Sequence, residues 1–243
     1  MLTLNIDGKK VQADEGATIL MVAQNNLINI PTLCDNEEVS PYGACRLCLV
    51  EITTTSGKGR TVPSCLYPVE EGLTVRTATD KIISIRRMLI ELLLARCPDS
   101  ELIQDMAKRL GINKTHFRLQ DGNKKCILCA LCARTCEEIV GVSAISLTNR
   151  GVNRQLSTPF NKDYSEACIG CGSCAYICPT NAITMEDING IRRLFWPHNE
   201  TKFELAKCKV CGGYWAPKKQ LEYIAKQANI PMKTFDVCPD CRD

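Results

Sequence analysis

The stretch Cys126-Ile-Leu-Cys129-Ala-Leu-Cys132-Ala-Arg-Thr-Cys136 returns with the same spacing as Cys168-Ile-Gly-Cys171-Gly-Ser-Cys174-Ala-Tyr-Ile-Cys178, followed by Pro179. Eight residues of one scarce type in two identical patterns do not arise by chance. A chain of 243 residues can bury a core, or two or three small ones, without covalent cross-links. Its 17 cysteines are therefore present for chemistry. In a reducing cytosol thiols stay free or metal-bound, and metal ligation is the stronger reading. A soluble, cytoplasmic protein is expected, because the richest apolar stretch, residues 82–95, is interrupted by Arg86, Arg87 and Glu91, and no signal-peptide pattern follows Met1.

Two further constellations flank the repeated runs. Cys34, Cys45, Cys48 and Cys65 are spaced Cys-x10-Cys-x2-Cys-x16-Cys. A [2Fe–2S] centre needs four thiolates from a long loop plus one distant residue, and the plant-type Cys-x4-Cys-x2-Cys spacing is related with a shorter first gap. A zinc knuckle is the alternative there. Towards the C-terminus, Cys208-Lys-Val-Cys211 and Cys238-Pro-Asp-Cys241 make a four-thiolate site. Tetrahedral structural zinc suits it best, with a third [4Fe–4S] cluster or a mononuclear iron as alternatives. Removing that metal should loosen residues 196–243 and leave the upstream sites intact. Cys97, before Pro98, reads as a buried structural thiol, and His116 and His198 read as structural.

Between these cysteines the pattern is mixed. Leu2 to Ala13 alternates around Asp7-Gly8 as a β-hairpin, and residues 18–27 place Ile19, Val22, Ala23 and Leu27 at helical spacing before Pro31. Residues 80–119 read as helical, with Ile82, Ile85, Met88, Leu89, Leu92 and Leu93 on one face and a second run from Glu101 to Leu110 ending at Gly111. Lys218 to Ala228 also reads as a helix. The expected class is α+β, in four parts: residues 1–80 around the first cysteine set, a helical connector over 81–120, the repeated runs in 121–195, and a zinc-ribbon-like module of four cysteines in 196–243.

The repeated runs resemble the bacterial two-cluster ferredoxin spacing, in which three close cysteines hold one cubane and the fourth ligates the other. That resemblance assigns one [4Fe–4S] cluster to Cys126, Cys129, Cys132 and Cys178, and the second to Cys136, Cys168, Cys171 and Cys174. Glu137 stands where the second run has Pro179, which alters the loop and removes no ligand. Residues 1 to about 195 as a whole resemble the N-terminal iron–sulfur region of [FeFe]-hydrogenases. The same region occurs in the large peripheral iron–sulfur subunit of complex I and the diaphorase iron–sulfur subunit of bidirectional hydrogenases. Glu137 to Ile145, continuing through Asn149-Arg150-Gly151 and Ser157-Thr158-Pro159-Phe160, looks like that family's insertion between the cubane motifs. The resemblance implies a β-grasp [2Fe–2S] domain at the start. It departs at two points. The family's additional cluster with one histidine and three cysteines has no counterpart, since Cys97 stands alone in that stretch, and the chain stops at Asp243 with no room for a hydrogen-activating domain.

The expected function is therefore a carrier. It is an iron–sulfur electron-transfer subunit of an anaerobic, electron-bifurcating, NAD(P)H-linked oxidoreductase of hydrogenase, formate dehydrogenase or aldehyde oxidoreductase type. It would relay single electrons between a flavin- and NAD(P)H-binding iron–sulfur subunit and a second catalytic subunit or ferredoxin, in a hetero-oligomeric complex. A free multi-cluster ferredoxin is the alternative. No Gly-x-Gly-x-x-Gly or phosphate loop is present, and two histidines outside any nucleophile arrangement give catalysis by this chain little support. Nor is a nucleic-acid partner expected. Four thiolate sites at −2 each turn the formal charge of +3 into −5, and no basic stripe remains.

Overall fold

Apolar residues alternate with polar ones in Leu2–Ile6 (β1) and Lys9–Ala13 (β2), and the two strands pair antiparallel across Asp7 and Gly8. Both turn residues have positive φ, which a two-residue type I′ hairpin requires. The computed structural model describes residues 1–121, 124–158 and 165–242. The chain divides into two units, Met1–Cys129 and Ala130–Asp243. Pro159 and Phe160, part of the expected insertion, lie outside the described residues.

In the first unit, Leu49–Thr53 (β3), Gly59–Pro63 (β4) and Thr74–Arg76 (β5) complete a five-stranded sheet of order β2-β1-β5-β3-β4. Its central pair β1–β5 is parallel and hairpins lie on either side, the β-grasp arrangement. Helix Ile19–Asn25 (α1) starts at Thr18, whose hydroxyl accepts from the Met21 amide at 3.3 Å. It buries Ile19, Leu20, Val22 and Ala23 against Leu4, Ile6, Val50, Ile52 and Val75. Leu27, expected on that apolar face, is 96% exposed with φ of 60°. The amide of Leu27 bonds to Gln24 O and that of Ile28 to Ala23 O, a Schellman closure that ends the helix ahead of Pro31.

The connector forms Asp80–Arg96 (α2) and Glu101–Arg109 (α3). Its buried stripe is not the expected one. Ile82, Arg86, Ile90 and Ala95 are buried, whereas Met88 is 51% exposed and Leu92 is also exposed. An apolar residue lies on nearly every side of α2, so pattern alone does not select the face, and the groups it packs against do.

In the second unit, a short turn Leu131–Arg134 (α4) runs into a π-helical turn over Thr135–Ile139. Ser146–Thr148 (β6) pairs with Gln155–Ser157 (β7). After the turn Ser173–Tyr176 (α5), strands Thr184–Ile188 (β8), Ile191–Phe195 (β9), Glu200–Lys207 (β10) and Tyr214–Pro217 (β11) form an antiparallel sheet in the order β11-β10-β9-β8. Glu200 pairs with Phe195, so the sheet continues through residue 196. Helix Lys218–Ala228 (α6) occupies the expected span. No described helix is long and apolar enough to cross a membrane.

The face chosen by α2 is testable. Ile90→Ala should destabilise the anaerobically reconstituted chain by about 2–5 kcal/mol, and Met88→Ala by less than about 0.5 kcal/mol. Urea midpoints would read both, and equal losses would place the helix on its other side.

Candidate metal centres

The first cysteine set is gathered by the ends of β3 and β4. Leu49 pairs with Pro63, which brings Cys48, just before β3, beside Cys65, just after β4. Their sulfurs are 3.4 Å apart. Cys34 and Cys45 form a second pair across the intervening loop, where the Cys45 amide donates to Cys34 Sγ at 3.4 Å. Cys34, Cys48 and Cys65 are buried and Cys45 is partly exposed. The Cys34 thiol draws Cys45 down to about 5, and the Cys65 thiol draws Cys48 to about 7. Cys34 and Cys65 are raised in turn by those partners and by burial. Two acidic sulfurs held beside two others fit the ligands of a cationic metal core.

The two repeated runs share a backbone as well as a spacing. The residues on either side of the second cysteine of each run are left-handed: Leu128 (φ 53°) and Ala130 (64°) in one, Gly170 (74°) and Gly172 (83°) in the other. Each run then enters its helical turn, α4 or α5. After the fourth cysteine the likeness resumes at Ser143-Ala144-Ile145 and Asn181-Ala182-Ile183, with Ser143 and Asn181 left-handed as well. The Ala144 amide donates to Cys136 Sγ at 3.2 Å, and the Ala182 amide to Cys178 Sγ at 3.3 Å. Between Cys136 and Ala144 lie four more residues than between Cys178 and Ala182, and the π-helical turn takes up part of that excess.

Cys136, Cys168, Cys171 and Cys174 line one small cavity, walled by Ala144, Ile145, Leu194 and Trp196. Burial pushes Cys168 up to about 11 and Cys174 up to about 12, with the Trp196 indole acting against it at Cys174. The Trp196 indole N–H is buried on the cavity wall, on the side of Cys174. The sheet closes the site. A Cβ on Gly170 would lie 2.6 Å from Phe203 Cγ, and one on Gly172 would strike Met185 Sδ. Arg192 forks onto Asp187 with two bonds of 2.8 Å and donates through Nη1 to the carbonyls of Gly170 (3.2 Å) and Cys171 (3.4 Å). In the same unit Cys132 and Cys178 share a core with Ile145, Leu156 and Ile183, while Cys126 and Cys129 belong to the first unit.

The C-terminal four are brought together by β10, β11 and the loop after α6. The sulfurs of Cys208, Cys211, Cys238 and Cys241 all lie within 4.8 Å of one another, close enough for one metal site. Amides of Cys238 (3.3 Å) and Val210 (3.4 Å) donate to Cys208 Sγ, and that of Gly213 to Cys211 Sγ (3.4 Å). The backbone amides of Cys238, Cys211 and Val210 hold Cys208 down at about 6. Cys97 is fully buried, its thiol against Leu93 O at 2.9 Å, and desolvation raises it to about 12, as a structural thiol requires.

The family model of a 2Fe-2S iron-sulfur cluster binding domain matches residues 1–80, and that of a 4Fe-4S binding domain matches 163–184. The NADPH-Fe(3+) oxidoreductase subunit alpha of Geobacter sulfurreducens is 31% identical over 97% of this chain and 29% of its own length. The NADP-reducing hydrogenase subunit HndD of Solidesulfovibrio fructosivorans is 32% identical over 75% of this chain and 36% of its own. The mitochondrial NADH-ubiquinone oxidoreductase 78 kDa subunit of Neurospora crassa is 28% identical, over 74% and 27%. A solved chain of an NAD+-reducing [NiFe]-hydrogenase superposes with a TM-score of 0.56 at 28% identity, covering 65% of this chain and 74% of that one. The chain is homologous to these oxidoreductase subunits. It carries a 2Fe-2S and a 4Fe-4S binding domain, and it spans about a quarter to a third of the curated relatives' length.

Spacing alone did not reveal Arg192, Trp196 or the two alanine amides. The repeated Ala-Ile after each fourth cysteine was the available signal for the alanines. Nor does the C-terminal module stand apart as expected. On α6, the Tyr223 hydroxyl donates to Val140 O at 3.2 Å, four residues past Cys136, and Lys219 Nζ donates to Glu166 O, two residues before Cys168. Leu221 and Ala225 anchor the same helix on Phe235 and Trp215, beside the C-terminal cysteines. The double variant K219M/Y223F should keep the C-terminal metal yet lose iron from the Cys136/Cys168 site several-fold faster under a chelator. Cys208→Ser should weaken both sites. Unchanged iron loss in the two proteins would leave the module independent.

Proposed function

We propose that this chain is the iron–sulfur electron-transfer subunit of a multi-subunit, electron-bifurcating NAD(P)H-linked oxidoreductase of hydrogenase, formate dehydrogenase or aldehyde oxidoreductase type. The observation that carries the reading is one cavity lined by Cys136 of the first run together with Cys168, Cys171 and Cys174 of the second, in a chain that also carries the 2Fe-2S domain. Cys136, Cys168, Cys171 and Cys174 hold one [4Fe–4S] cluster. Cys126, Cys129, Cys132 and Cys178 hold the other, an assignment that rests on the spacing. Cys34, Cys45, Cys48 and Cys65 would hold a [2Fe–2S] cluster, with Cys34 beside Cys45 and Cys48 beside Cys65. When bound, such clusters supply one-electron redox chemistry, which a hydride donor reaches only through a flavin that splits the electron pair. The chain's own part is to hold the thiolates, aim amides at them and keep water off their walls. The partners are a flavin- and NAD(P)H-binding subunit and a second catalytic subunit or ferredoxin.

Zinc is the proposed ion of the C-terminal site. A tetrahedral ion with metal–sulfur bonds of about 2.3 Å holds its sulfurs about 3.8 Å apart. Cys211 and Cys238 are 3.9 Å apart, which supports a single ion over a cubane, whose own edges would spread the sulfurs further.

Anaerobically reconstituted chain should carry about ten irons, two in the binuclear site and four in each cubane, with one zinc. Four irons or fewer would contradict the three clusters, and about fourteen irons without zinc would put a third cubane at the C-terminus. The isolated chain should not oxidise NAD(P)H and should accept electrons rapidly once its flavin subunit is added. Turnover of NADH by flavoprotein-free chain at enzyme-like rates would end the carrier reading.

A further inference from the structure

Arg86 is the charged residue that α2 buries, at 8% exposure, in the helix whose other buried positions are Ile82, Ile90 and Ala95. Its Nε donates to Leu47 O at 2.9 Å and its Nη2 to Leu49 O at 2.9 Å. These two carbonyls flank Cys48, so the guanidinium is fixed immediately behind one thiolate of the first cysteine set. No described carboxylate forms an ion pair with it. The carboxylate whose field reaches it, Asp7, is engaged by the Thr77 amide (2.8 Å) and hydroxyl (2.5 Å). Cys48 is the other anion that acts on it.

Arg192 likewise holds two successive carbonyls in the other unit, those of Gly170 and Cys171, through Nη1 alone, and its Nε and Nη2 fork onto Asp187, which neutralises the charge with two bonds of 2.8 Å. Holding a loop therefore does not require an unpaired cation. A guanidinium taken out of water without a carboxylate is costly unless another negative charge stands beside it. Four thiolates around a [2Fe–2S] core supply one, −2 when oxidised and −3 after one electron is added, and a fixed positive charge favours the second state more.

We propose that Arg86 is the buried counter-charge of the [2Fe–2S] site at Cys34, Cys45, Cys48 and Cys65, and that it holds the potential of that site above the value the loop alone would give. This rests on the reading of those four cysteines as the ligands. Arg86 acts through charge and position and touches no reacting atom.

The test is an anaerobic redox titration of the full chain, with dithionite as the electron donor, followed by electron paramagnetic resonance. Arg86→Gln should move the [2Fe–2S] midpoint to a more negative potential and leave the [4Fe–4S] signals where they were. Arg86→Lys keeps the charge and loses the fork, so it should titrate near wild type while giving up iron faster to a chelator. A fully loaded Gln variant with an unchanged midpoint would reduce Arg86 to a clamp and overturn the proposal. Should the Gln variant fail to load, the Lys variant decides: a wild-type midpoint supports the counter-charge, and a negative shift overturns it. Failure of the ligand reading would look different, as a [2Fe–2S] signal absent from wild type or persisting in Cys48→Ser.

Discussion

Sulfur that carries negative charge in a protein interior has to be met by donors, and this chain meets it mainly with its own backbone. Amides of Cys45, Ala144, Ala182, Val210, Gly213 and Cys238 lie 3.2–3.4 Å from the sulfurs they face. To aim successive amides inward the chain has to turn left-handed, and it does so on both sides of the second cysteine in each repeated run. Where the sheet presses close, as Phe203 and Met185 do, glycine takes that conformation at Gly170 and Gly172. Leu128 and Ala130 adopt it with side chains in place, at a cost of about 1–2 kcal/mol each. Such a cost persists only where a gain elsewhere offsets it.

A second layer of support comes from regular structure. α2 reaches the first cysteine loop through Arg86, β9 reaches the Cys168–Cys171 loop through Arg192, and α6 reaches the segments beside Cys136 and Cys168 through Tyr223 and Lys219. Each contact is a side-chain donor on a backbone carbonyl. The loops spend their amides on sulfur and leave their carbonyls free for these long side chains to take. The ligand loops and the elements around them are thus complementary in hydrogen-bonding sense.

Cysteine spacing announced the sites because metal geometry constrains ligands to short, repeated separations. The hairpin β1–β2 and helix α6 were equally plain, being bounded by turn residues and carrying a clear period. Reading failed where one residue answered to distant partners. Leu27 fits the apolar stripe of α1 but closes its end, because the amides there return to Ala23 and Gln24. Arg86 looked like an interruption in an apolar run, and it is buried because two carbonyls almost forty positions away are waiting for it. Arg192 and the link from α6 to the cysteine loops likewise depend on long-range pairing that no local period encodes.

The pairing of β10 with β9 and the reach of α6 back to Val140 and Glu166 also bear on the order of assembly. During synthesis Cys168 to Cys178 leave the ribosome well before Lys219 and Tyr223, and before Cys238 and Cys241, which close the C-terminal site. The nascent chain therefore presents its cubane loops with their outer wall still missing. A cluster loaded before that point would enter a cradle whose α6 wall is not yet in place.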